Sequence, residues 1–262
     1  MNLTTRQLAL PLILISCLAT QRLASADQKP PEGLFVHGYA NQLSVLPGED
    51  ITLHISSSAP QVAVTIERMG LEKQNVLEQE NIAVSLQPIP DRASSDGCKW
   101  PESYRLKIPS DWTSGYYQTT LRVSQDGKDA RSTLFFVVRS AQPGSRSKIL
   151  LQLATNTYNA YTNWGGHSLY AYHDRDGLQG HRVSFDRPLS SQFENWEGPF
   201  IRWAEANGVP LEYAVNSDLE FRPELLSNYR LVLSVGHDEY WSSVMRDHLE
   251  AFIGQGGNVA FF

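Results

Sequence analysis

The chain has 262 residues, with 22 Lys and Arg against 28 Asp and Glu, a net charge of -6 and 41% hydrophobic residues. That length supplies about two globular domains at roughly 100–200 residues each, and the acidic balance excludes a basic nucleic-acid footprint. Only Cys17 and Cys98 are present, which excludes a cysteine-rich zinc centre.

At the N-terminus Arg6 precedes an apolar run from Leu8 to Ala19, and Ala24-Ser25-Ala26 follows. A basic start, a short apolar core and a small-residue cleavage site predict an export signal over residues 1–26. The run is too short to span a bilayer comfortably. Leu14-Ile15-Ser16-Cys17 also reads as a bacterial lipobox, which would place a lipid on Cys17. Either route takes the protein out of the cytoplasm. Cleavage after Ala26 leaves Cys98 alone, so no intrachain disulfide is expected. No later segment is long and apolar enough for a transmembrane helix.

From 34 to 139 the grammar is that of strands. Ile51, Leu53 and Ile55 alternate, as do Val62, Val64 and Ile66, and Tyr104, Leu106 and Ile108. Turn signals at Pro47-Gly48, Ser56-Ser57-Ser58, Asp96-Gly97, Ser114-Gly115 and Asp126-Gly127 separate them. Tyr117, Thr119, Leu121 and Val123 share one strand face, and Leu134 to Val138 is a final apolar strand. Short strands at regular spacing predict an immunoglobulin-like β-sandwich. Residues 79–95 read as loop-rich.

Residues 140–147 form a small, polar linker, and from 148 to 262 the grammar changes. Ile149-Leu150-Leu151 is a buried strand, 197–207 a helix with Phe200, Ile201 and Ala204 inward, and 211–214 and 231–235 are further strands. Ser242 caps a helix whose Met245, Leu249, Phe252 and Ile253 share one face. Gly256-Gly257 stops it, and 258–262 begins another strand. Alternating strands and helices predict an α/β domain with a parallel sheet. A last strand with no helix after it leaves a sheet face uncovered, so the domain is expected to be truncated at its C-terminus.

Two polar-aromatic stretches follow strands of this second domain. Val235-Gly236-His237-Asp238-Glu239-Tyr240-Trp241 places an imidazole and two carboxylates at the mouth of a strand, where open α/β sheets put their ligands. His237 and Glu239, two apart, point the same way on an extended end. They fit a metal ligand beside a proton carrier, or an ion pair in a turn that caps the next helix. The other stretch, 155–172, reads as a loop holding Tyr158, Tyr161, Tyr170 and Tyr172 among Asn, Thr, Trp and Gly. Phenols pack in cores with one hydroxyl satisfied, or serve a hard cation as phenolates. Tyr117, taken alone, reads as a core residue. The chain has no Gly-x-Ser-x-Gly elbow, no His-Glu-x-x-His and no phosphate loop.

The stretches 155–166, Arg182 to Pro188 and Tyr229 to Ser242, with looser matches at Gly38-Tyr39-Ala40, 97–101 and 111–117, resemble the large (β) subunit of N,N-dimethylformamidase and its C-terminal domain family. The resemblance implies an immunoglobulin-like domain joined to an amidotransferase- or flavodoxin-like α/β domain. It also implies a hydrolase of small linear amides that uses one iron(III). Carried over by position, the metal ligands are Tyr117, Tyr158 and Glu239, with His237 as the catalytic base beside them. Two phenolates and a carboxylate match a trivalent ion better than zinc. The resemblance further implies a small partner subunit, with a homo-oligomer as the other option. The family's site also uses an Asn and a Glu that would lie beyond Phe262. The alternative expectation is an exported binding module without catalysis, or an inactive remnant of the family.

Overall fold

The computed structural model describes residues 31–173 and 177–262. The export signal over 1–26 and the lipobox cysteine, Cys17, lie outside the described residues.

The first half is made of β1 (Val36–Ala40), β2 (Ser44–Val45), β3 (Asp50–Ser57), β4 (Gln61–Met69), β5 (Lys73–Ala83), the single helical turn α1 (Ala93–Asp96), β6 (Tyr104–Lys107), β7 (Gly115–Gln125) and β8 (Lys128–Val138). They form an antiparallel sheet in the order β1-β3-β6 and a five-stranded sheet in the order β2-β8-β7-β4-β5. The second is antiparallel except where the short β2 runs parallel to β8. The alternating residues do what their period requires. Ile51, Leu53 and Ile55 of one sheet meet Val62, Val64, Ile66, Leu121, Leu134 and Phe136 of the other in one core. Of the stretch expected to be loop-rich, residues 79–83 complete β5 instead, paired to β4.

The second half holds β9 (Ile149–Leu153), α2 (Thr155–Tyr161), α3 (Glu197–Ala206), β10 (Glu212–Val215), α4 (Asn216–Phe221), β11 (Leu231–Ser234), α5 (Ser243–Gly254) and β12 (Asn258–Phe261). Its sheet runs β10-β9-β11-β12 with every pairing parallel. From β9 the chain moves outward to β10, then returns to β11 on the other side. The strand order therefore reverses between β9 and β11, which is where such sheets open a ligand crevice at their carboxyl ends. On α5 the Ser242 hydroxyl accepts from the Met245 amide at 3.1 Å, and Met245, Leu249 and Phe252 are buried while Ile253 is exposed. On α3 Ile201 and Ala204 are buried and Phe200 only partly so.

The two halves share a core. On the outer face of the five-stranded sheet Met69, Tyr116, Phe135 and Val137 pack with Leu151, Leu153, Tyr158, Ile201 and Tyr213. β7 and β8 are thus buried on both faces, and β8 carries apolar residues at consecutive positions from Leu134 to Val138. Polar ties reinforce the contact. Asp218 accepts from the Ser44 hydroxyl at 2.7 Å and pairs with Arg139 at 3.4 Å. Buried Glu212 accepts the amides of Gly144, Arg146 and Ser147. Among the described residues no helix is long and apolar enough to cross a membrane.

Candidate functional site

The carboxyl ends of β9 and β11 carry the two stretches singled out from the sequence. After β11 the chain turns at Gly236, whose φ of 83° is open to glycine. A Cβ built there would lie 2.3 Å from the Trp196 Cβ. Asp238 then points inward, where it accepts from the Ser234 hydroxyl at 2.7 Å, and burial raises its carboxyl above the ordinary value. His237 and Glu239 point outward together, with Nε2 and Oε2 3.0 Å apart.

α2 fixes the backbone of this turn. The buried Thr157 hydroxyl accepts the amides of Glu239 at 2.9 Å and Tyr240 at 3.2 Å. Tyr161, four residues on, lies on the same helix face. Its hydroxyl is 2.9 Å from His237 Nε2 and 3.1 Å from Glu239 Oε2. Tyr170 donates to the same Oε2, and its ring centroid is 4.2 Å from that of Tyr161. Two phenols and one imidazole thus converge on Glu239 Oε2, and the Glu239 side chain remains 42% exposed.

The electrostatics follow from these contacts. The hydrogen bond from Tyr170, joined by those from Tyr161 and His237, holds the Glu239 carboxyl below its ordinary value, against the opposite pull of burial. Burial and then the facing carboxylate raise the Tyr170 phenol. For Tyr161 the contact with Tyr170 pulls downward, and burial with Tyr172 and Glu239 outweighs it, so that phenol is raised too. The cluster is an ionised carboxylate ringed by protonated phenols.

Among the described residues the implied ligands Tyr117, Tyr158 and Glu239 share no hydrogen bond. Tyr117 lies in the core between the first two sheets, stacked between Trp112 and Phe136, and donates to the Thr113 carbonyl at 2.8 Å. Burial pushes its phenol up to about 12. Tyr158 is fully buried in the core shared by the two halves, its hydroxyl without a hydrogen-bond partner among the described residues, and burial raises its phenol well above the ordinary value. Each of the two phenols therefore has a different setting from Glu239. The reason is local. Residues 155–161 form a helix rather than a loop, and on a helix Tyr158 and Tyr161 face about 60° apart, at 100° per residue. Tyr161 and Tyr170 stood among the four tyrosines noted in the sequence, and only the helical period separates the site phenol from the core phenol. Among the described residues no three of His, Cys, Asp and Glu gather as a metal-binding group.

A cleft of about 250 Å³ runs alongside, lined by Asn156, Leu169, Val183, Phe185, Tyr240 and Trp241. Leu169 and Tyr240 are the chain neighbours of Tyr170 and Glu239.

The second half is thus a parallel α/β sheet with an oxygen-rich cluster at its switch point. The family described as N,N-dimethylformamidase beta subunit-like, C-terminal, matches residues 63–262, and the chain belongs to it. The chain is 25% identical over 206 residues to the N,N-dimethylformamidase beta subunit of an Alcaligenes species, and 25% identical over 208 residues to that of Paracoccus aminophilus. Each match takes in 62% of this chain and 26% of the relative, so the chain spans about a quarter of these relatives' length. Among solved structures, a β-D-glucuronidase of Dictyoglomus thermophilum aligns with 87% of the chain and 44% of its own, at 7% identity and a TM-score of 0.26.

Proposed function

We propose that this chain carries the catalytic centre of a small-amide hydrolase, formed by Tyr161, Tyr170, Glu239 and His237. The observation that supports it is the convergence of two phenol oxygens and one imidazole nitrogen on Glu239 Oε2. In donor chemistry the cluster fits mononuclear iron(III). Two phenolates and a carboxylate carry three negative charges, all on hard oxygen. Tyr161, Tyr170 and Glu239 would hold the ion, in place of the Tyr117 and Tyr158 that the resemblance implied. When bound, the iron supplies Lewis-acid polarisation of a carbonyl and a more acidic water.

The chain's own residues do the rest. His237 Nε2 accepts a proton from the attacking water and delivers it to the departing amine nitrogen. Thr157 keeps the turn that carries His237 and Glu239 in place. The cleft beside Tyr240 receives the apolar substituents of the amide against Leu169, Val183 and Phe185. The products are a carboxylic acid and an amine.

Further expectations belong to this reading. The facing sheets of the first half support an immunoglobulin-like domain, and the parallel sheet supports an amidotransferase- or flavodoxin-like domain. The names of the relatives as beta subunits support assembly with a partner subunit. Arg6, the apolar run and Ala24-Ser25-Ala26 support export.

Iron content and visible absorbance of the purified chain after loading with iron(III) test the proposal. Tyrosinate-to-iron charge transfer is expected to colour the protein. Tyr161→Phe and Tyr170→Phe are each expected to weaken that colour, and Tyr117→Phe to leave it unchanged. A folded chain that takes up no iron overturns the hydrolase reading and favours a binding module.

A further inference from the structure

We propose that Arg187 is the positioning residue for the Tyr161 hydroxyl, and that through it the first half of the chain orients the candidate centre; the inference rests on reading Tyr161 as a site residue. Arg187 is completely buried, and among the described residues its partners are all carbonyl oxygens. One guanidinium nitrogen, Nη1, donates to the Trp164 carbonyl at 2.5 Å. The other, Nη2, donates to the Asn159 carbonyl at 3.1 Å and to its side-chain Oδ1 at 2.9 Å. Nε donates to the Ser184 carbonyl at 2.9 Å. Asn159 and Trp164 bracket Tyr161 in the chain, so a single planar fork grips the backbone on both sides of the site phenol.

Burying a cation without a carboxylate is costly, and a simple packing role would be filled at less cost by an apolar residue. Only Arg spans two such carbonyl groups from a rigid plane, and Lys offers one mobile point charge. The fork is itself anchored in the other half. Ser184 donates its amide to the Ser94 carbonyl at 2.9 Å, and Cys98 donates to the Asp186 carbonyl at 2.6 Å. The Lys99 amide donates to Asp186 Oδ2 at 3.1 Å. Gly97, at a φ of 83°, lets this approach happen, since a Cβ there would lie 2.7 Å from Asp186 Oδ2. The amide of Ser94 also meets the Gly165 carbonyl at 3.2 Å. Residues 94–99 thus hold both the segment that carries Arg187 and the turn that follows Tyr161.

The test compares wild type with Arg187→Lys and Arg187→Ala, each first shown to be folded by circular dichroism. Iron(III) affinity and the charge-transfer band are expected to fall at least tenfold in both variants. Free guanidinium ion is expected to restore part of the loss in Arg187→Ala alone, which a general loss of packing would not allow. Wild-type iron affinity in Arg187→Lys overturns the proposal. If wild type itself binds no iron, the functional reading fails separately, and the metal-free protein decides the positioning role. There, hydrogen exchange at the Thr162 amide, which closes α2 on Tyr158 and Asn159, is expected to quicken at least tenfold in Arg187→Lys while Leu151 in β9 does not change. Unchanged exchange at Thr162 overturns the proposal. Should Arg187→Lys fail to fold, Asn159→Ala removes one side-chain acceptor and is read by the same two measurements, and wild-type values in both overturn the proposal.

Discussion

Two carboxylates near the site titrate in opposite senses. Glu239 has its folded pKa depressed, chiefly by the Tyr170 hydrogen bond. It therefore adds stability above the unfolded carboxyl value of about 4.3 and loses it as pH falls through the folded value. Solvent screening keeps the effect small, because the group is two-fifths exposed. Melting curves of wild type and Glu239→Gln are expected to differ at pH 6 and to converge in acid. Glu197 is raised to about 7 by burial. Its folded state binds the proton more tightly, so stability present below the unfolded value is lost as pH rises through about 7. Glu197→Gln is expected to melt higher than wild type at pH 8 and to flatten that decline. At this scale the sequence made some roles readable and others not. The same-side placement of His237 and Glu239 follows from their spacing alone. The inward turn of Asp238 follows from the same alternation. The choice between Tyr158 and Tyr161 does not, because it depends on helical rotation in a segment whose composition resembles a loop.

α2 illustrates why that segment was hard to read. It runs for only seven residues, has Ala154 at its N-cap with no side-chain hydrogen bond, and contains Thr, Asn and Tyr, which are poor helix formers. Its cap comes from elsewhere in the chain: Asn216 Oδ1 accepts the Asn156 amide at 2.8 Å. By contrast α5 announced itself through Ser242 and its apolar face, and the first-half strands through their period of two. The joint between α2 and the β11 turn is testable. Thr157→Val removes one hydroxyl and strands two amides, and is expected to cost about 1–3 kcal/mol in urea unfolding. Gly236→Ala combines a left-handed backbone with a clash against Trp196, and is expected to cost about 1–3 kcal/mol. Either variant melting like wild type would show that the turn is held by other contacts.

For the molecule as a whole, the change of grammar near residue 140 marks a change of architecture, and the two architectures meet in one core. Tyr116 and Tyr117 are adjacent, yet one packs with Phe193 on the α/β side and the other with Trp112 between the first two sheets. Consecutive apolar positions in β8 are the trace this leaves in the sequence, and they are compatible with any buried strand, which is why the sequence read as two separate domains. Calorimetry of the full chain is expected to give a single cooperative transition, and two well-separated peaks would contradict the shared core. Arg68 of β4, paired with Glu205 of α3 at 2.9 Å, adds to that coupling.

Double burial of β7 and β8 also limits what can be cut away. A minimal version starting at the polar connector would lay bare Leu151, Leu153 and Tyr213, greasy side chains that now meet Tyr116, Phe135 and Val137. Anyone trimming the gene for expression should keep those two strands with the α/β part, or redesign that contact for water, since the naked patch would drive clumping before any chemistry could be assayed.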